Sequence, residues 1–277
     1  MKDKDELLEK CSLEDLERAG YKMYQLKEGF RFGTDSALLA WFAAGFVRTF
    51  SLSNTAKVTK KEIRALELGA GCGACSLLLC ARRPNIKVDA AEIMRLPFEV
   101  LQENIKLNGL NGRLEAFHAD IRELPPEVKE KQYDLVLMNP PFFLSSRGTR
   151  ASEDLSIERL NGRFEENGNL EDFVKTAAAR VIPSSGYIVM VMKGNRLKDC
   201  LMAFEKASVS PVRLMTVHSF EDKEASMILL AGKRGNTGSE LRILPPLILN
   251  EREKDTEIRP SARLRSIYED DQNECFI

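Results

Sequence analysis

The residues with the clearest chemical potential follow an apolar run near the middle of the chain. Residues 133–138 read Tyr-Asp-Leu-Val-Leu-Met, and Asn139, Pro140, Pro141 and Phe142 come directly after them. The apolar run predicts a buried strand, and two prolines cannot extend a sheet, so the strand must end here. An amide, a rigid turn and an aromatic ring together suit a flat group that carries an amine. An ordinary turn is the alternative interpretation, because Asn-Pro is a common turn signal.

A second group of candidate residues is the glycine-rich turn Gly69, Gly71 and Gly73, with Glu67 just before it. The turn follows a short apolar run and opens a helical pattern. Glycines let the backbone approach a ligand closely, and the start of a helix offers free N–H groups. A tight turn without a ligand explains the same glycines, so this motif needs support from other residues.

Two acidic residues supply that support, because each stands at the end of a predicted strand. Glu92 lies about twenty residues beyond Gly71, the spacing at which an acidic side chain accepts hydrogen bonds from ribose hydroxyls. Asp120 follows the next strand, where it can accept a hydrogen bond from an adenine amine. Open α/β sheets bind ligands at the carboxyl ends of their parallel strands. We therefore expect these residues to share one rim with Asn139.

The elements that position this rim alternate along the chain. Strands are predicted at residues 63–68, 86–91, 114–117, 133–138 and 187–192, and helices at 74–82, 95–107 and 170–181. This alternation indicates an α/β fold, a mostly parallel sheet with helices on both faces. The apolar runs 212–217 and 227–231 have no helix between them, which predicts a terminal antiparallel hairpin. The whole sheet then has seven strands.

The remaining segments are assigned from composition and periodicity. We expect a charged amphipathic helix at 1–20, an apolar helix at 36–47 with Thr34 or Asp35 as its N-cap, and a connector at 48–62. The polar stretch 143–169 is long enough to be functional or disordered. Residues 251–277 are charged and aperiodic and predict a surface tail. The domain division is 1–50 for the N-terminal helix and cap, 51–240 for the main domain and 241–277 for the charged C-terminal tail.

Composition excludes several functional classes. Charged residues make up 30% and hydrophobic residues 43% of the 277, with a net charge of −1, which is typical of a soluble globular protein. Such a charge provides no overall field to attract a polyanion, so nucleic acid would need a local basic patch. The longest apolar run is too short to span a bilayer and no secretory signal is evident, so we expect a cytoplasmic protein. Six cysteines without a second pair at zinc spacing predict neither a metal site nor a disulfide framework.

Taken together, the motifs resemble a known class of enzyme. The Gly-x-Gly-x-Gly turn, the acid after the second strand and Asn-Pro-Pro-Phe after the fourth resemble class I S-adenosylmethionine-dependent methyltransferases that modify exocyclic amines. Further segments resemble the tRNA-valine adenine-N6 methyltransferase family: Gly-Phe-Arg-Phe-Gly-Thr-Asp at 29–35, Leu-Leu-Ala at 38–40, His218 with Ala225-Ser226, and Leu-Arg-Ile-Leu-Pro-Pro-Leu at 241–247. The resemblance covers about residues 30–235 and implies a Rossmann-like fold.

The resemblance also implies a cofactor and its contacts. The cofactor would be S-adenosyl-L-methionine, with S-adenosyl-L-homocysteine as product. The implied binding residues are Gly69, Gly71 and Gly73 beneath the methionine part, Glu67 near its polar end, Glu92 at the ribose, Asp120 at the adenine amine, Thr34 and Asp35 closing over the methionine end, and Asn139 beside the methyl group. The catalytic stretch would be Asn139, Pro140, Pro141 and Phe142.

An aryl amine needs such a site because its lone pair is delocalised into the ring. The Asn139 side-chain oxygen and the Pro140 carbonyl can each accept one N–H hydrogen bond and aim the lone pair at the methyl group, while Phe142 stacks on the base. The resemblance favours an adenine in tRNA as the acceptor. A guanine amine in ribosomal RNA and a glutamine side chain in a protein stay open, as does the oligomeric state. A non-catalytic binding module is disfavoured by the intact motif.

Other candidate residues have simpler interpretations. His118 and His218 are expected to satisfy local hydrogen bonds, and Trp41 is expected in the core. A basic rim for RNA is predicted at residues 147–150 and 193–196. Its candidate phosphate contacts are Arg31, Arg147, Arg150, Lys193 and Arg196.

Overall fold

The computed structural model describes residues 2–28, 32–52, 62–141, 168–235, 238, 240–253 and 257–269. The strands are β1 (Cys11–Asp15), β2 (Lys22–Leu26), β3 (Ile63–Leu68), β4 (Ile86–Glu92), β5 (Leu114–His118), β6 (Leu135–Met138), β7 (Tyr187–Lys193), β8 (Val209–His218), β9 (Ala225–Arg234), β10 (Arg242–Ile243), β11 (Leu247–Ile248), β12 (Asn250–Glu253) and β13 (Glu257–Pro260). The helices are α1 (Lys2–Glu9), α2 (Thr34–Leu52), α3 (Ala74–Arg82), α4 (Arg95–Leu107), α5 (Pro126–Lys129), α6 (Leu170–Arg180), α7 (Leu197–Lys206) and α8 (Ala262–Glu269).

The central sheet has the predicted architecture. Seven strands lie in the order β5-β4-β3-β6-β7-β9-β8. The first five are parallel to one another, whereas β9 pairs antiparallel with both β7 and β8. The short strands β10 and β11 extend the edge by pairing in parallel with β8. The prediction of a mostly parallel sheet closed by an antiparallel hairpin is confirmed.

Helices cover both faces of this sheet, as the alternation of strands and helices predicted. On β6, Leu135 and Leu137 join the apolar cluster formed with α2, α3 and α4, whereas Val136 and Met138 join the cluster formed with α6 and α7. Neighbouring residues of a strand point to opposite faces, so an unbroken apolar run is what a strand between two helical layers requires. This packing holds the end of β6 rigidly in the middle of the sheet.

The helix α2 packs in the first of these layers. Its residues 37–47 are all buried, and Trp41 lies in the core as expected. The helix extends to Leu52, so residues 48–52 are helical and do not belong to the predicted connector. In the described ranges, no helix is both long and apolar enough to cross a membrane.

The N-terminal segment differs from the prediction of one helix over residues 1–20. Only Lys2–Glu9 is helical, and Cys11–Asp15 forms a strand that pairs antiparallel with β2. Leu7 and Cys11 pack against Val100 of α4. The apolar residues of this segment are so sparse that they fit a helical and an alternating pattern equally well. The antiparallel pairing with β2 decides that residues 11–15 form a strand, and local periodicity does not predict this pairing.

The C-terminal segment also differs, because its described part is not a surface tail. The strands β12 and β13 form a hairpin, and α8 buries Leu264 and Ile267 in the main core. The end of α8 is held by two remote arginines. Arg18 donates to the carbonyl oxygens of Ile267 and Tyr268, and Arg82 donates to that of Ile267. Cationic side chains stabilise the last carbonyls of a helix.

Candidate active site

Asn139 stands directly after β6, at the carboxyl end of the sheet. Its Nδ2 donates a hydrogen bond of 3.1 Å to Oδ2 of Asp35, which lies in the first turn of α2. Its Oδ1 is buried and accepts no hydrogen bond from any residue that the structure describes. A buried polar atom without a partner is rare and costs about 1–3 kcal/mol, so Oδ1 marks a place where a donor is missing.

The glycine-rich turn joins β3 to α3 and leaves its backbone open on one side. Gly69, Gly71 and Gly73 have φ angles of +70°, +56° and +92°, a region that side chains rarely adopt. A Cβ on Gly73 would lie 2.3 Å from Cδ1 of Leu101, whereas one on Gly71 would meet no atom of the described residues within 4 Å. Gly73 is therefore needed for packing, and Gly71 borders free space. This turn fits a ligand that approaches the backbone.

Glu92 ties the end of β4 to this turn. Its Oε2 accepts from the backbone N–H of Gly71 at 2.7 Å, and its Oε1 accepts from that of Met94 at 2.8 Å. Burial raises the pKa of the Glu92 carboxyl, and these backbone hydrogen bonds oppose the rise. A carboxylate has about four lone-pair sites, and the backbone N–H groups of Gly71, Met94 and Ile93 leave capacity for a hydroxyl group of a ligand.

Glu67 lies beneath the same turn, fully enclosed at the end of β3. Burial raises the pKa of its carboxyl from 4.5 to about 7. The Ser76 hydroxyl donates a hydrogen bond to Glu67 Oε2 and, with the backbone N–H of Ser76, partly stabilises the charged form. A buried carboxyl with a strongly raised pKa is a candidate functional group.

Asp120 follows β5 on the same rim and is held by a neighbour. Arg122 donates from Nε and Nη2 to both carboxylate oxygens, with Nη2 to Oδ2 at 2.6 Å. This bond holds the pKa of Asp120 below its usual range. Its side chain is a quarter exposed, so one side of the carboxylate still faces solvent.

The start of α2 is fixed from three directions. The backbone N–H of Ser36 donates to Asp35 Oδ1 at 2.8 Å. The side chain of Thr34 hydrogen-bonds the phenol of Tyr268, whose pKa is raised by burial. Cys75 Sγ, in the first turn of α3, contacts the carbonyl oxygen of Ser36 at 3.5 Å. The first turn of α2 thus lies against both the first turn of α3 and the C-terminal helix.

The structure therefore brings most of the candidate residues to one edge of the sheet. Asn139 contacts Asp35, Glu92 contacts Gly71, and Glu67 lies below the turn. The sequence reasoning missed Tyr268 and Ser76. Nothing in the local pattern around Tyr268 signals this contact, whereas Ser76 stands in the helix that the turn opens.

Some expectations concern residues beyond this edge. Phe142, Arg31, Arg147 and Arg150 lie outside the described residues, as does most of the insertion 143–169. Lys193 ends β7, the neighbour of β6, and Arg196 forms an ion pair with Asp199.

Both histidines make local contacts, as expected. His118 Nε2 bonds the carbonyl oxygen of Ile93, and the ring of His118 stacks on that of Phe98. His218 contacts Thr216 and the carbonyl oxygen of Lys223. Neither ring is needed to explain the chemistry of the rim.

The structure thus combines a parallel sheet, a glycine-rich first turn, acids at the ends of the next strands and Asn-Pro-Pro after the fourth, which is the arrangement that the resemblance to methyltransferases implied. Residues 50–178 match the family model of the methyltransferase small domain. A protein from Agrobacterium tumefaciens described as a predicted O-methyltransferase has the same fold. It aligns with a TM-score of 0.61 at 18% identity, covering 85% of this chain and 95% of that one. The tRNA m1G37 methyltransferase of M. jannaschii aligns with a TM-score of 0.52 at 18% identity, over 81% and 57% of the two chains.

Relatives in sequence extend over most of the chain. Two proteins named tRNA1(Val) (adenine(37)-N6)-methyltransferase are similar to it. The one from Flavobacterium psychrophilum is 25% identical over 81% of this chain and 87% of its own length. The one from Flavobacterium johnsoniae is 28% identical over 80% and 86%. The family model, these relatives and the fold agree in identifying the chain as a methyltransferase.

Proposed function

We propose that this methyltransferase transfers the methyl group of S-adenosyl-L-methionine to the exocyclic N6 amine of an adenine in tRNA, with S-adenosyl-L-homocysteine as product. The observation that carries the proposal is the buried Oδ1 of Asn139 at the end of β6, which has no hydrogen-bond partner among the described residues. An amine placed there supplies the missing donor. The relatives that match most of the chain are named as enzymes that act on adenine N6 of a tRNA, which supports the choice of acceptor.

The cofactor would bind along the edge formed by β3, β4 and β5. The open backbone at Gly71 accommodates its methionine part, since no side chain from the described ranges occupies that space. Glu92 accepts from the ribose hydroxyls and Asp120 from the adenine amine, each already oriented by its own hydrogen bonds. Thr34, Asp35 and Glu67 border the methionine end. When bound, the cofactor supplies a methyl group on a positively charged sulfur, which is an excellent leaving group.

The residues at the end of β6 would orient the acceptor. Asn139 Oδ1 accepts one N–H of the amine and the carbonyl of Pro140 accepts the other, which directs the nitrogen lone pair away from the ring. The lone pair forms the new N–C bond as the C–S bond breaks, and the amine then loses one proton to solvent. Positioning and exclusion of water do most of this work, because the reaction needs no strong base. Phe142 is proposed to stack on the base.

A basic surface beside this site would contact the RNA. Lys193 follows the carboxyl end of β7, next to the strand that carries Asn139. Arg196 lies three residues further along and forms an ion pair with Asp199. With a net charge of −1 the protein as a whole does not attract RNA, and a local rim at 147–150 and 193–196 has to do so.

The proposal is tested by transfer of labelled methyl from S-adenosylmethionine to tRNA, to ribosomal RNA and to a protein extract, followed by mass spectrometry of the nucleosides. We expect label in N6-methyladenosine from tRNA. Label in guanosine of ribosomal RNA, or in glutamine of protein, would assign the site to a different amine. Absence of label from all three pools would contradict the proposal.

The role of Asn139 is tested by Asn139→Ala. We expect kcat to fall by about 10²-fold or more, because one of two groups that orient the amine is lost, while cofactor affinity stays near that of the wild type. Gln132→Ala is the matched control, since it removes an exposed amide that precedes the same strand. Full activity of Asn139→Ala would refute the assigned role.

A further inference from the structure

The contact between Asn139 and Asp35 joins two residues that are 104 positions apart in the chain. One follows β6 in the middle of the sheet, and the other lies in the first turn of α2. The donor is the Nδ2 of the amide and the acceptor is Oδ2 of the carboxylate, at 3.1 Å. The other polar amide atom, Oδ1, has no partner in the part of the chain that the structure describes.

This contact determines which end of the amide faces the acceptor site. The two ends of an asparagine amide have nearly the same shape, so packing alone does not select between them. An ionised carboxylate can only accept hydrogen bonds. Rotating the amide by 180° would place Asn139 Oδ1 against Asp35 Oδ2, two acceptors at hydrogen-bonding distance. The rotated form would also turn Nδ2, a donor, towards an amine that must itself donate.

Asp35 is itself held in place. Its Oδ1 accepts from the backbone N–H of Ser36, which leaves Oδ2 for Asn139. A Cβ on Gly33 would lie only 3.2 Å from Asp35 Oδ1, so the glycine leaves room for the carboxylate in this position. Asp35 also lies at the N-terminal turn of α2, where the helix dipole favours a negative charge.

The carboxylate has a second, electrostatic effect. A negative charge that accepts from Nδ2 polarises the amide and increases the electron density on Oδ1. Hydrogen bonds in such a chain strengthen one another in a low-dielectric environment. Oδ1 of Asn139 therefore becomes a better acceptor for the N–H of the substrate.

We propose that Asp35 is a positioning residue, which orients the Asn139 amide so that Oδ1 faces the amine to be methylated. The inference rests on the proposed function in one respect, that Asn139 accepts a hydrogen bond from the amine. It differs from a role of Asp35 in cofactor binding, because it acts through Asn139 and on the rate of transfer.

The first variant is Asp35→Asn, which keeps the shape and the contact to Ser36. Its Oδ1 accepts from the backbone of Ser36, and its Nδ2 then meets Nδ2 of Asn139. The Asn139 amide must rotate, and its donor end then faces the amine. We expect kcat to fall by about 10²-fold when it is measured at saturating cofactor, a condition that separates the rate of transfer from any change in cofactor affinity. A normal kcat with a raised KM for the cofactor would overturn the proposal.

The decisive variant exchanges the two side chains. In Asp35→Asn/Asn139→Asp, the amide at 35 donates to one carboxylate oxygen at 139, and the other oxygen accepts from the substrate amine. We expect at least tenfold higher kcat than in Asp35→Asn alone. In the single variant Asn139→Asp, two carboxylates face each other, so it should be less active than the exchanged pair. An exchanged pair no better than either single variant would overturn the proposal.

A measurement without substrate separates this inference from the proposed function. Thermal unfolding of the wild type, both single variants and the exchanged pair forms a double-mutant cycle. The orienting contact predicts that the exchanged pair has a higher Tm than either single variant. That result would hold even if the acceptor were not tRNA. Additive Tm changes in an enzyme that does methylate tRNA would refute the orienting contact alone. The control variant is Glu171→Gln, which removes an exposed carboxylate paired with Lys206 and so shows how much the loss of a surface carboxylate alone changes the Tm.

Discussion

Glu67 makes the stability of this protein depend on pH in a direction opposite to that of most carboxylates. It is fully buried beneath the glycine-rich turn, and burial raises its pKa from 4.5 to about 7. The substitution Glu67→Gln keeps the shape of the side chain and removes its charge at every pH. The variant therefore resembles the protonated form of the wild type.

The magnitude follows from the two pKa values. The folded protein binds the Glu67 proton more tightly than the unfolded chain does. The contribution of this bound proton to the free energy of unfolding is therefore fully present below about pH 4.5. It is lost as the pH rises to about 7 and stays lost above that value. Each pKa unit corresponds to about 1.4 kcal/mol, so the free energy of unfolding should decrease by about 3 kcal/mol across this window. The variant should lack this decrease.

The assay is urea unfolding of both proteins between pH 4.5 and pH 8. All other titrating groups are shared, so the difference between the two curves reports Glu67. We expect the free energy of unfolding of Glu67→Gln to increase by about 3 kcal/mol relative to that of the wild type as the pH rises from 4.5 to 7. Above pH 7 the difference should stay constant.

Ser76→Ala gives an independent check on the same carboxyl. It removes the hydroxyl that stabilises the charged form of Glu67, so the loss of stability should extend to higher pH than in the wild type. Parallel curves for the wild type and Glu67→Gln across the whole range would refute the reasoning.

Three further substitutions test the residues that frame the site. Gly73→Ala should cost about 2–3 kcal/mol of unfolding free energy, since its Cβ would lie 2.3 Å from Leu101 Cδ1, at a φ of +92°. In Gly71→Ala the new Cβ would meet no described atom, so the free energy of unfolding should fall by only about 1 kcal/mol, whereas cofactor binding should weaken at least tenfold. Calorimetry of both variants measures unfolding and cofactor binding. Tyr268→Phe removes the bond to Thr34 and should cost about 1 kcal/mol and lower kcat several-fold at unchanged tRNA affinity. An unchanged kcat would show that α8 does not support the start of α2.

The central sheet and the glycine-rich turn can be predicted from the amino-acid sequence alone. The strands 63–68 and 133–138 are apolar on both faces, and such runs between helical patterns fit a parallel sheet covered by two layers. The glycines have positive φ angles, as a turn that approaches a ligand requires. These features depend on residues close together in sequence, so local patterns contain them.

The two ends of the chain could not be assigned in the same way. The strand Cys11–Asp15 exists because β2 lies beside it, and α8 is held by Arg18 and Arg82, far away in sequence. A local pattern of sparse apolar residues fits several structures, and tertiary contacts select one of them. The expectation of a charged tail failed for this reason.

The motif around Asn139 shows the same division within the active site. The sequence by itself places an asparagine and two prolines after a buried strand, because the apolar run and the proline break are both local. Only the tertiary structure decides which way the amide faces, because the acceptor of its Nδ2 is Asp35, on a different helix. A side chain's orientation depends on the charges and packing around it, and folding brings those groups together from distant parts of the chain.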